Sequence, residues 1–268
     1  MTGRSPEHAG GTALGNLFDL TGRCALVTGG GRGLGRAIAV GLAEHGADVA
    51  VTSRTVAELE ETAEAVQATG RRCLVLPGDA LRKADVEAVI AAVDDEYGRF
   101  DILVNNAGVD AAAPALDYAE DDWDFVLDVN LKGYFLYAQA AARVMIARGN
   151  GGAIAQNSSI AARAAIKNIS AYNASKGGVD MLTRSLALEW AQYGIRVNSF
   201  APAYMEVFMP GAAAEHDEAK EQAIRDRTPL GRRGRAEELV GPVVFLCSDA
   251  ASYVTGDVLM VDGGWTAR

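Results

Sequence analysis

Short apolar runs alternate with longer amphipathic segments along most of the chain. Seven runs have the length and the β-branched content of strands: Cys24 to Thr28, Asp48 to Thr52, Cys73 to Leu76, Ile102 to Asn105, Ala153 to Gln156, Arg196 to Phe200 and Val258 to Val261. The segments between them have apolar residues spaced near 3.6, as at Val86, Val89, Ile90 and Val93. Because strands that are apolar on both faces are typical of parallel sheets covered by helices, the pattern predicts one α/β domain with a doubly wound sheet.

Two stretches do not follow this alternation. Residues 1–17 are rich in Gly, Thr and Ala and show no period, so we expect a disordered tail before a domain that spans 18–268. Residues 203–235 contain several prolines and follow a strand end directly. Ligands of open parallel sheets bind beyond the carboxyl ends of the strands, so this segment is predicted to be a substrate lid rather than a plain surface insertion. At the second helix, Thr55 and Glu58 have the spacing of a capping box.

Composition narrows the possible partners and locations. The net charge of -10 disfavours a nucleic-acid surface, which needs clustered cations. The cysteines Cys24, Cys73 and Cys247 lack the spacing of a disulfide framework or a metal site, so they are expected to be core residues and no metal is predicted. The sequence contains neither an apolar run of about 18 residues nor the apolar core of a secretory signal. We therefore expect a cytoplasmic protein without a membrane partner.

A glycine-rich turn joins the first predicted strand to the first helix. It runs from Thr28 through Gly29, Gly31, Gly33 and Gly35. Glycines bring backbone N–H groups close to a pyrophosphate, and a helix N-terminus adds partial positive charge. A glycine cluster alone is weak evidence, but its place between strand and helix predicts a nucleotide site.

Tyr172 and Lys176 are one helical turn apart and so lie on the same face of a predicted helix. A nearby ammonium favours the phenolate, which predicts that Tyr172 exchanges a proton near neutral pH. Thirteen residues earlier, Ser158 and Ser159 follow the fifth strand, and only one of the two hydroxyls can face the same site.

These motifs occur in a characteristic order with Asn105-Asn106-Ala107-Gly108 after the fourth strand, Asn130, and Asp262-Gly263-Gly264 near the end. From about Phe18 onward the chain resembles the short-chain dehydrogenases/reductases. The resemblance implies a Rossmann-like sheet of seven strands, a nicotinamide cofactor, a small carbonyl or alcohol substrate and a homotetramer.

The resemblance also implies residue roles. Ser159 corresponds to the serine that orients the reacting oxygen, Tyr172 to the acid/base, Lys176 to the lysine that also holds the nicotinamide ribose, and Asn130 to the asparagine that holds a water near that lysine. The residues expected to contact the cofactor are Tyr172, Lys176 and residues of the turns after several strands. The full set is Gly29, Gly31, Arg32, Gly33, Leu34, Gly35, Ser53, Arg54, Asp79, Ala80, Asn106, Ala107, Gly108, Tyr172, Lys176 and Pro202.

The end of the second strand bears on the choice of cofactor. NAD-preferring members usually have an acid at the position of Ser53, whereas Ser53, Arg54 and Arg32 offer a hydroxyl and two cations. NADP is therefore expected, with NAD as the alternative. Ala203 and Val207 depart from the family's Pro-Gly-x-x-x-Thr, and Val207 lacks the hydroxyl that often contacts the nicotinamide carboxamide.

Substrate residues are harder to predict. Candidates are Asp110, residues 161–168 with Arg163 and Lys167, and residues 204–209. The segments 18–23 and 228–232 resemble the corresponding segments of gluconate-type sugar or polyol dehydrogenases. This likeness predicts a sugar, polyol or keto acid as the substrate. Several arginines lie near the lid. They could bind an acidic acyl carrier protein, as in a 3-oxoacyl thioester reductase, or they could simply be solvated on a surface loop: Arg225, Arg227, Arg232, Arg233 and Arg235. A different kind of function is that of a regulator that binds a dinucleotide without catalysis. This alternative is disfavoured, because such a protein would not need Ser159, Tyr172 and Lys176 together.

Overall fold

A computed structural model describes residues 17–207 and 218–267. Its strands are β1 Cys24–Thr28, β2 Asp48–Ser53, β3 Cys73–Pro77, β4 Ile102–Asn105, β5 Gly152–Asn157, β6 Ile195–Pro202 and β7 Val258–Val261. All seven predicted strands are present, and each end lies within two residues of its predicted position. Their runs of buried β-branched and small residues explain the accuracy, since such runs suit strands covered on both faces.

The described helices are α1 Gly33–Glu44, α2 Val56–Gln67, α3 Lys83–Tyr97, α4 Glu120–Leu127, α5 Gly133–Arg148, α6 Ser170–Trp190, α7 Glu218–Arg227 and α8 Val240–Cys247. One π-helical turn, Asp128–Lys132, joins α4 to α5. Short 3₁₀ turns lie at Ile160–Ala162, Ala191–Tyr193, Ala236–Leu239 and Asp249–Ala251.

The strands form one parallel sheet in the order β3-β2-β1-β4-β5-β6-β7. The chain moves outward from β1 to β3 and then returns to place β4 on the other side of β1. Loops on the two sides of this switch point diverge and leave a crevice at the carboxyl ends of the strands. The predicted doubly wound, Rossmann-like α/β domain is confirmed.

Hydrophobic cores cover both faces of the sheet. Alternate residues of β1 divide between them, Ala25 and Val27 facing α1, α2 and α8, and Cys24 and Leu26 facing α3, α5 and α6. Each large aliphatic side chain buried in this way contributes roughly 1.5–3 kcal/mol. The two cores fix the strand ends from which the site is built.

Two details at the edges of the domain concern earlier expectations. The predicted tail lies outside the described residues except for Leu17, whose carbonyl accepts a hydrogen bond from the Ala250 N–H at 3.1 Å. The predicted capping box is wrong, because neither Thr55 nor Glu58 makes a capping hydrogen bond. Glu58 instead pairs with Arg32, 3.4 Å away, since that guanidinium lies across from the first turn of α2.

Candidate active site

A cavity lies at the carboxyl ends of β1, β2 and β4, where the switch point leaves room. Thirteen of the residues predicted to bind the cofactor line it, namely Gly29, Gly31, Arg32, Gly33, Leu34, Gly35, Ser53, Arg54, Asp79, Ala80, Asn106, Ala107 and Gly108. The sheet thus brings together residues that are up to 79 positions apart.

The glycine turn has little room for side chains. A Cβ on Gly29 would lie 2.8 Å from the Ala107 Cα, and a Cβ on Gly35 would overlap the carbonyl oxygen of Gly29. Gly33 has a φ of 55°, in the region that favours glycine. The turn therefore presents backbone rather than side chains to the cavity.

Asn106 and Thr28 connect this turn to the end of β4. The Thr28 hydroxyl accepts hydrogen bonds from the backbone N–H groups of Asn106 at 2.9 Å and Ala107 at 3.1 Å. The Asn106 side chain donates to the Thr28 carbonyl at 3.0 Å and accepts from the Asn157 amide at 2.9 Å. Three strand ends are locked together by these contacts.

The far end of the cavity carries charge. Arg32 and Arg54 line it together with the Ser53 hydroxyl, and the carboxylate of Glu58 lies beside Arg32. Asp79 accepts a hydrogen bond from the Leu81 N–H at 3.0 Å and lines the same end. This end therefore offers two guanidinium groups, one of them already paired with a carboxylate.

Tyr172, Ser159 and Lys176 meet at the ends of β5 and α6. Burial raises the pKa of Tyr172 to about 12, and a hydrogen bond with Ser159 opposes that rise. The Lys176 Nζ lies 5.5 Å from the centre of the Tyr172 ring rather than at its hydroxyl. Burial thus keeps the phenol of the chain alone protonated at neutral pH, and the expected proton exchange near neutral pH, which also depends on an oxidised nicotinamide, stays a prediction.

Ser158 and Ser159 point in opposite directions. The Ser158 hydroxyl donates to the Asp180 carboxylate at 2.5 Å, on the side of α6 beyond Lys176. The extended backbone at this strand end turns the next side chain, Ser159, toward Tyr172. Of the two serines, the structure brings only Ser159 to the tyrosine.

Asn130 lies in the middle of the π-helical turn and is fully buried. Its side chain exchanges two hydrogen bonds with the backbone of Val109, at 2.9 and 2.8 Å, and donates to the Ser175 hydroxyl at 3.3 Å. The wider turn brings this amide against the segment after β4. The water-holding role implied by the resemblance stays a prediction.

The segment after β4 forms a wall beside Tyr172. Val109 and Ala111 pack with that ring in one apolar cluster, and the Tyr118 hydroxyl donates to the Ala111 carbonyl at 2.5 Å. The Oδ1 atom of Asp110 is buried and has no hydrogen-bond partner among residues 17–207 and 218–267. Its charge raises the pKa of Tyr172, which puts the carboxylate near the phenol.

A second loop, before α6, is joined to this wall. The Ala113 N–H donates to the carbonyl of Asn168 at 2.9 Å, and Asn168 has a φ of 66°. Asn173 on α6 holds the same loop through both backbone groups of Ile166, at 3.3 and 2.8 Å. Arg163 and Lys167, which the sequence suggested as anion ligands, are exposed, and Arg163 acts on the pKa of Asp180.

The described parts of the predicted lid are tied to the domain. Val207 lines the cavity near Gly33, whereas Pro202 ends β6 and does not line it. The arginines of this segment have specific partners: Arg233 pairs with Glu221, Arg232 and Arg235 with Glu238, Arg225 with Gln222, and Arg227 stacks on Trp265. These partners hold α7 and the loop after it in place, while Arg227, Arg232 and Arg235 remain exposed.

The comparisons with known proteins agree with this geometry. A sequence model described as enoyl-(acyl carrier protein) reductase matches residues 29–266. The chain is 44% identical over 254 residues to the 2-dehydro-3-deoxy-D-gluconate 5-dehydrogenase of Escherichia coli K12, covering 94% of this chain and 99% of the relative. It is 39% identical over 251 residues to the gluconate 5-dehydrogenase of Gluconobacter oxydans, covering 94% and 97%.

The solved structures include a gluconate 5-dehydrogenase from Burkholderia cenocepacia in complex with NADP and tartrate. Its TM-score is 0.90 at 41% identity, with 94% of this chain and 98% of that chain covered. The chain belongs to the short-chain dehydrogenase/reductase family. As a member of this family it is an oxidoreductase that acts on CH–OH groups, and its relatives favour the sugar-type reading over the 3-oxoacyl reductase.

Sequence reasoning within the family missed several residues of the cavity wall. They come from positions that the cofactor motifs do not include: Thr52, Thr55, Glu58, Gly78, Val109, Val129, Tyr137 and Asn157. Thr52 ends a predicted strand and Gly78 lies two residues after another, which is a signal that the strand assignment already contained. Glu58 and Tyr137 have no such signal, because they reach the cavity from helices.

The remaining expectations concern metals, membranes and cysteines. Among residues 17–207 and 218–267, no group of three or more metal-binding side chains occurs. Within those same ranges, no helix combines the length and apolar character needed to cross a bilayer. The three cysteines are unpaired, and burial raises the pKa of each thiol to about 12.

Proposed function

We propose that the protein is an NADP-dependent oxidoreductase that interconverts a secondary alcohol and a ketone on a sugar acid or a related polyol. One observation carries the proposal: Tyr172, Ser159 and Lys176 meet beside a cavity whose wall is a glycine turn at a helix N-terminus. The relatives named above, with their gluconate substrates and bound NADP, support the substrate class and the cofactor.

The cavity suits a dinucleotide. The glycines between Gly29 and Gly35 allow a close backbone approach, as the overlap of a Cβ on Gly35 with the Gly29 carbonyl oxygen demonstrates, and backbone N–H groups of the turn can face a pyrophosphate. Arg32, Arg54 and Ser53 line the far end, where they fit a ribose 2′-phosphate. Gly29, Gly31, Arg32, Gly33 and Leu34 would hold the phosphates, and Asp79 and Ala80 the adenine. Asn106 to Gly108, Tyr172, Lys176 and Pro202 are proposed at the nicotinamide end.

Tyr172 is proposed as the acid/base. A pKa raised to about 12 keeps the phenol protonated at neutral pH, which is the form that donates a proton to a carbonyl oxygen during reduction. Ser159 hydrogen-bonds the same oxygen, and Lys176 fixes the ribose while its charge favours loss of the phenol proton. When bound, the nicotinamide supplies or accepts the hydride, and its oxidised ring adds positive charge that favours the phenolate.

Asp110 and the lid are proposed to select the substrate. The unpartnered Oδ1 of Asp110 is buried beside Tyr172, where a substrate hydroxyl would satisfy it. Residues 203–235 are proposed as the lid, because Val207 lies on the cavity wall and α7 packs through Arg227 against Trp265. Asn130 is proposed to position the segment after β4 and to hold a water near Lys176.

Assembly and location complete the proposal. We propose a homotetramer, because the outer faces of α5 and α6 expose large apolar side chains, among them Phe135, Ile146, Met181 and Leu188. Light scattering is expected to give four times the 28.1 kDa of one chain. A cytoplasmic location is proposed, because the cysteines Cys24, Cys73 and Cys247 form no disulfide.

Initial rates test the function. NADPH and NADH are offered with 5-ketogluconate, neutral ketoses and acyl thioesters, and the reverse reaction with gluconate and polyols. Tyr172→Phe is expected to lower kcat by about 10²–10⁴ and to keep cofactor affinity, since only the proton-transfer group is lost. Tyr193→Phe, at an exposed position, is the matched control. Cofactor binding without turnover of any carbonyl or alcohol would instead support the silent regulator.

A further inference from the structure

The Lys176 ammonium lies in a closed socket. Lys176 is 2% exposed, and its Nζ donates to the Asn157 carbonyl at 2.6 Å and to the Tyr134 hydroxyl at 3.4 Å. The same nitrogen lies 5.0 Å from the centre of the Tyr134 ring and 5.5 Å from that of Tyr172. Two of its three N–H groups thus have partners within the chain, and one is left for the site.

Tyr134 is built into this socket at both ends. It lies in the first turn of α5, is 1% exposed, and its carbonyl accepts a hydrogen bond from the Asn105 side chain at 3.0 Å. Its hydroxyl donates to the Asn157 carbonyl at 3.4 Å, so the hydroxyl, that carbonyl and the ammonium form a closed triangle. The phenol proton goes to the carbonyl, which leaves the oxygen lone pairs for the ammonium.

Filling space does not account for the hydroxyl. A phenylalanine would pack the same ring against the lysine and leave no buried polar atom to satisfy. In the described structure the hydroxyl contacts only the lysine and the carbonyl that the lysine also uses. Burial raises the pKa of Tyr134 well above its ordinary value, so the group is a neutral acceptor throughout the working range.

We propose that Tyr134 is a positioning residue that keeps Lys176 charged and aims its third N–H toward the cofactor ribose and Tyr172. The expected consequence for catalysis rests on the proposed function. The expected effect of Tyr134 on the pKa of Lys176 does not. Tyr134 supplies an acceptor oxygen and a ring face, both of which favour the ammonium over the neutral amine.

The effect has a definite sign. Burial lowers the pKa of Lys176 to about 7, and Asp180 on the same helix opposes that shift. The titratable groups facing the amine are therefore Tyr172 and Asp180 from α6 and Tyr134 from α5, whereas β5 supplies only the Asn157 carbonyl. Removing the Tyr134 oxygen takes away an acceptor that binds the charged ammonium more strongly than the neutral amine, so the pKa of Lys176 is expected to fall.

Nuclear magnetic resonance of the full chain with ¹³Cε-labelled lysine tests this without turnover. Only five lysines occur, and Lys176→Arg identifies the resonance. In Tyr134→Phe the titration midpoint of Lys176 is expected to move down by about half to one pH unit, as expected for one weak hydrogen bond to a charge. Tyr97→Phe is the matched control, since its hydroxyl also donates to a backbone carbonyl, at 2.8 Å, but far from the site.

An unchanged midpoint in Tyr134→Phe, or an equal shift in Tyr97→Phe, would overturn the proposal. The catalytic consequence has its own readout, the pH profile of kcat for carbonyl reduction. Its alkaline limb is expected to move down with the lysine midpoint in Tyr134→Phe, because protonated Lys176 is lost earlier as the pH rises. A resonance that moves while the rate profile stays fixed would overturn the positioning role. Absence of turnover in the wild type would contradict the proposed function and leave the lysine titration decisive.

Discussion

The hydroxyl of Ser158 donates to the carboxylate of Asp180 at 2.5 Å, and this contact separates two adjacent serines that the sequence alone treats as equivalent. It fixes the end of β5 to the middle of α6. The side chain of Ser159 is thereby left to face Tyr172, so a structural hydrogen bond on one side of the strand end determines which hydroxyl faces the other side.

Asp180→Asn is expected to change how stability depends on pH. Burial raises the pKa of Asp180 above 3.8, so the folded state disfavours the ionised form. Below pH 3.8 the wild type and the variant should be equally stable. As the pH rises from 3.8 through the raised pKa, the wild type should lose stability relative to the variant. The difference should then stay constant until Lys176 begins to titrate, because Asp180 also acts on that lysine, whose pKa burial lowers to about 7. Urea unfolding between about pH 3 and 6 measures this, and a difference that is flat throughout would contradict it.

Gly35→Ala is expected to abolish cofactor binding. The added Cβ would overlap the Gly29 carbonyl oxygen, so the turn must open. Gly241→Ala in α8 is the control, because no heavy atom beyond its chain neighbours and its own helix backbone lies within 4 Å of the added Cβ, and it should leave NADPH affinity unchanged. NADPH fluorescence titration and thermal unfolding check the two variants. Full NADPH affinity in Gly35→Ala would show that the turn does not contact the cofactor.

Arg32 and Glu58 are expected to affect the choice of cofactor in opposite directions. The two groups are 3.4 Å apart, so the guanidinium that would bind a 2′-phosphate is partly neutralised. Arg32→Ala should lower kcat/KM for NADPH about tenfold, as expected for one charged hydrogen bond, and leave NADH nearly unchanged. Glu58→Gln should raise the NADPH/NADH ratio a few fold. Equal losses for both cofactors in Arg32→Ala would place the guanidinium elsewhere than at the phosphate.

Val207→Thr is expected to tighten cofactor binding. Val207 lines the cavity where relatives of the family usually have a threonine, and valine has no donor. A neutral hydrogen bond contributes about 0.5–1.5 kcal/mol, which corresponds to roughly two- to tenfold in Kd. Calorimetry with NADPH measures the change. Val207→Ala separates shape from hydrogen bonding, and an equal gain in both variants would refute the missing-donor explanation.

Asp110→Asn is expected to shift the pH dependence of alcohol oxidation. The Asp110 charge raises the pKa of Tyr172, so its removal should lower that pKa and make the phenolate available at lower pH. The rising limb of the oxidation rate should then move to lower pH. Asp117→Asn is the comparison, because Asp117 lies on the same segment but its carboxylate does not contribute to the pKa shift of Tyr172. If the rising limb does not move in Asp110→Asn, the Asp110 carboxylate does not influence the pKa of the reacting phenol.

The fold and the motif-bearing turns were predictable because they are encoded locally. Strands buried on both faces have an unmistakable run of apolar residues, and the glycine turn and Asn106 follow two of those strands directly. The order of the motifs then identified the family. Helix starts were less predictable, as Glu58 shows, because a charged side chain in a first turn has partners outside its own helix.

The other groups of the site could not be read from the sequence because their effect depends on burial and on distant elements. Tyr134 looks like any apolar helix residue until α5 packs over β5 and brings its hydroxyl to Lys176. The sequence places Lys176 near Tyr172, but it does not show that the phenol is buried and that this burial raises its pKa to about 12 in the chain alone. Such competition between desolvation and charge is set by three-dimensional packing.

The hydrogen bond from the Ala113 N–H to the carbonyl of Asn168 links the two loops that are proposed to contact the substrate, so that neither can move without the other. A loop transplanted from a relative at only one of these positions would lose its partner, and the other loop would keep a shape suited to a neighbour no longer there. New substrate specificities on this scaffold are therefore expected to arise through paired changes, one in each loop, and a library that varies both loops together should yield more folded, selective variants than two libraries that vary them separately.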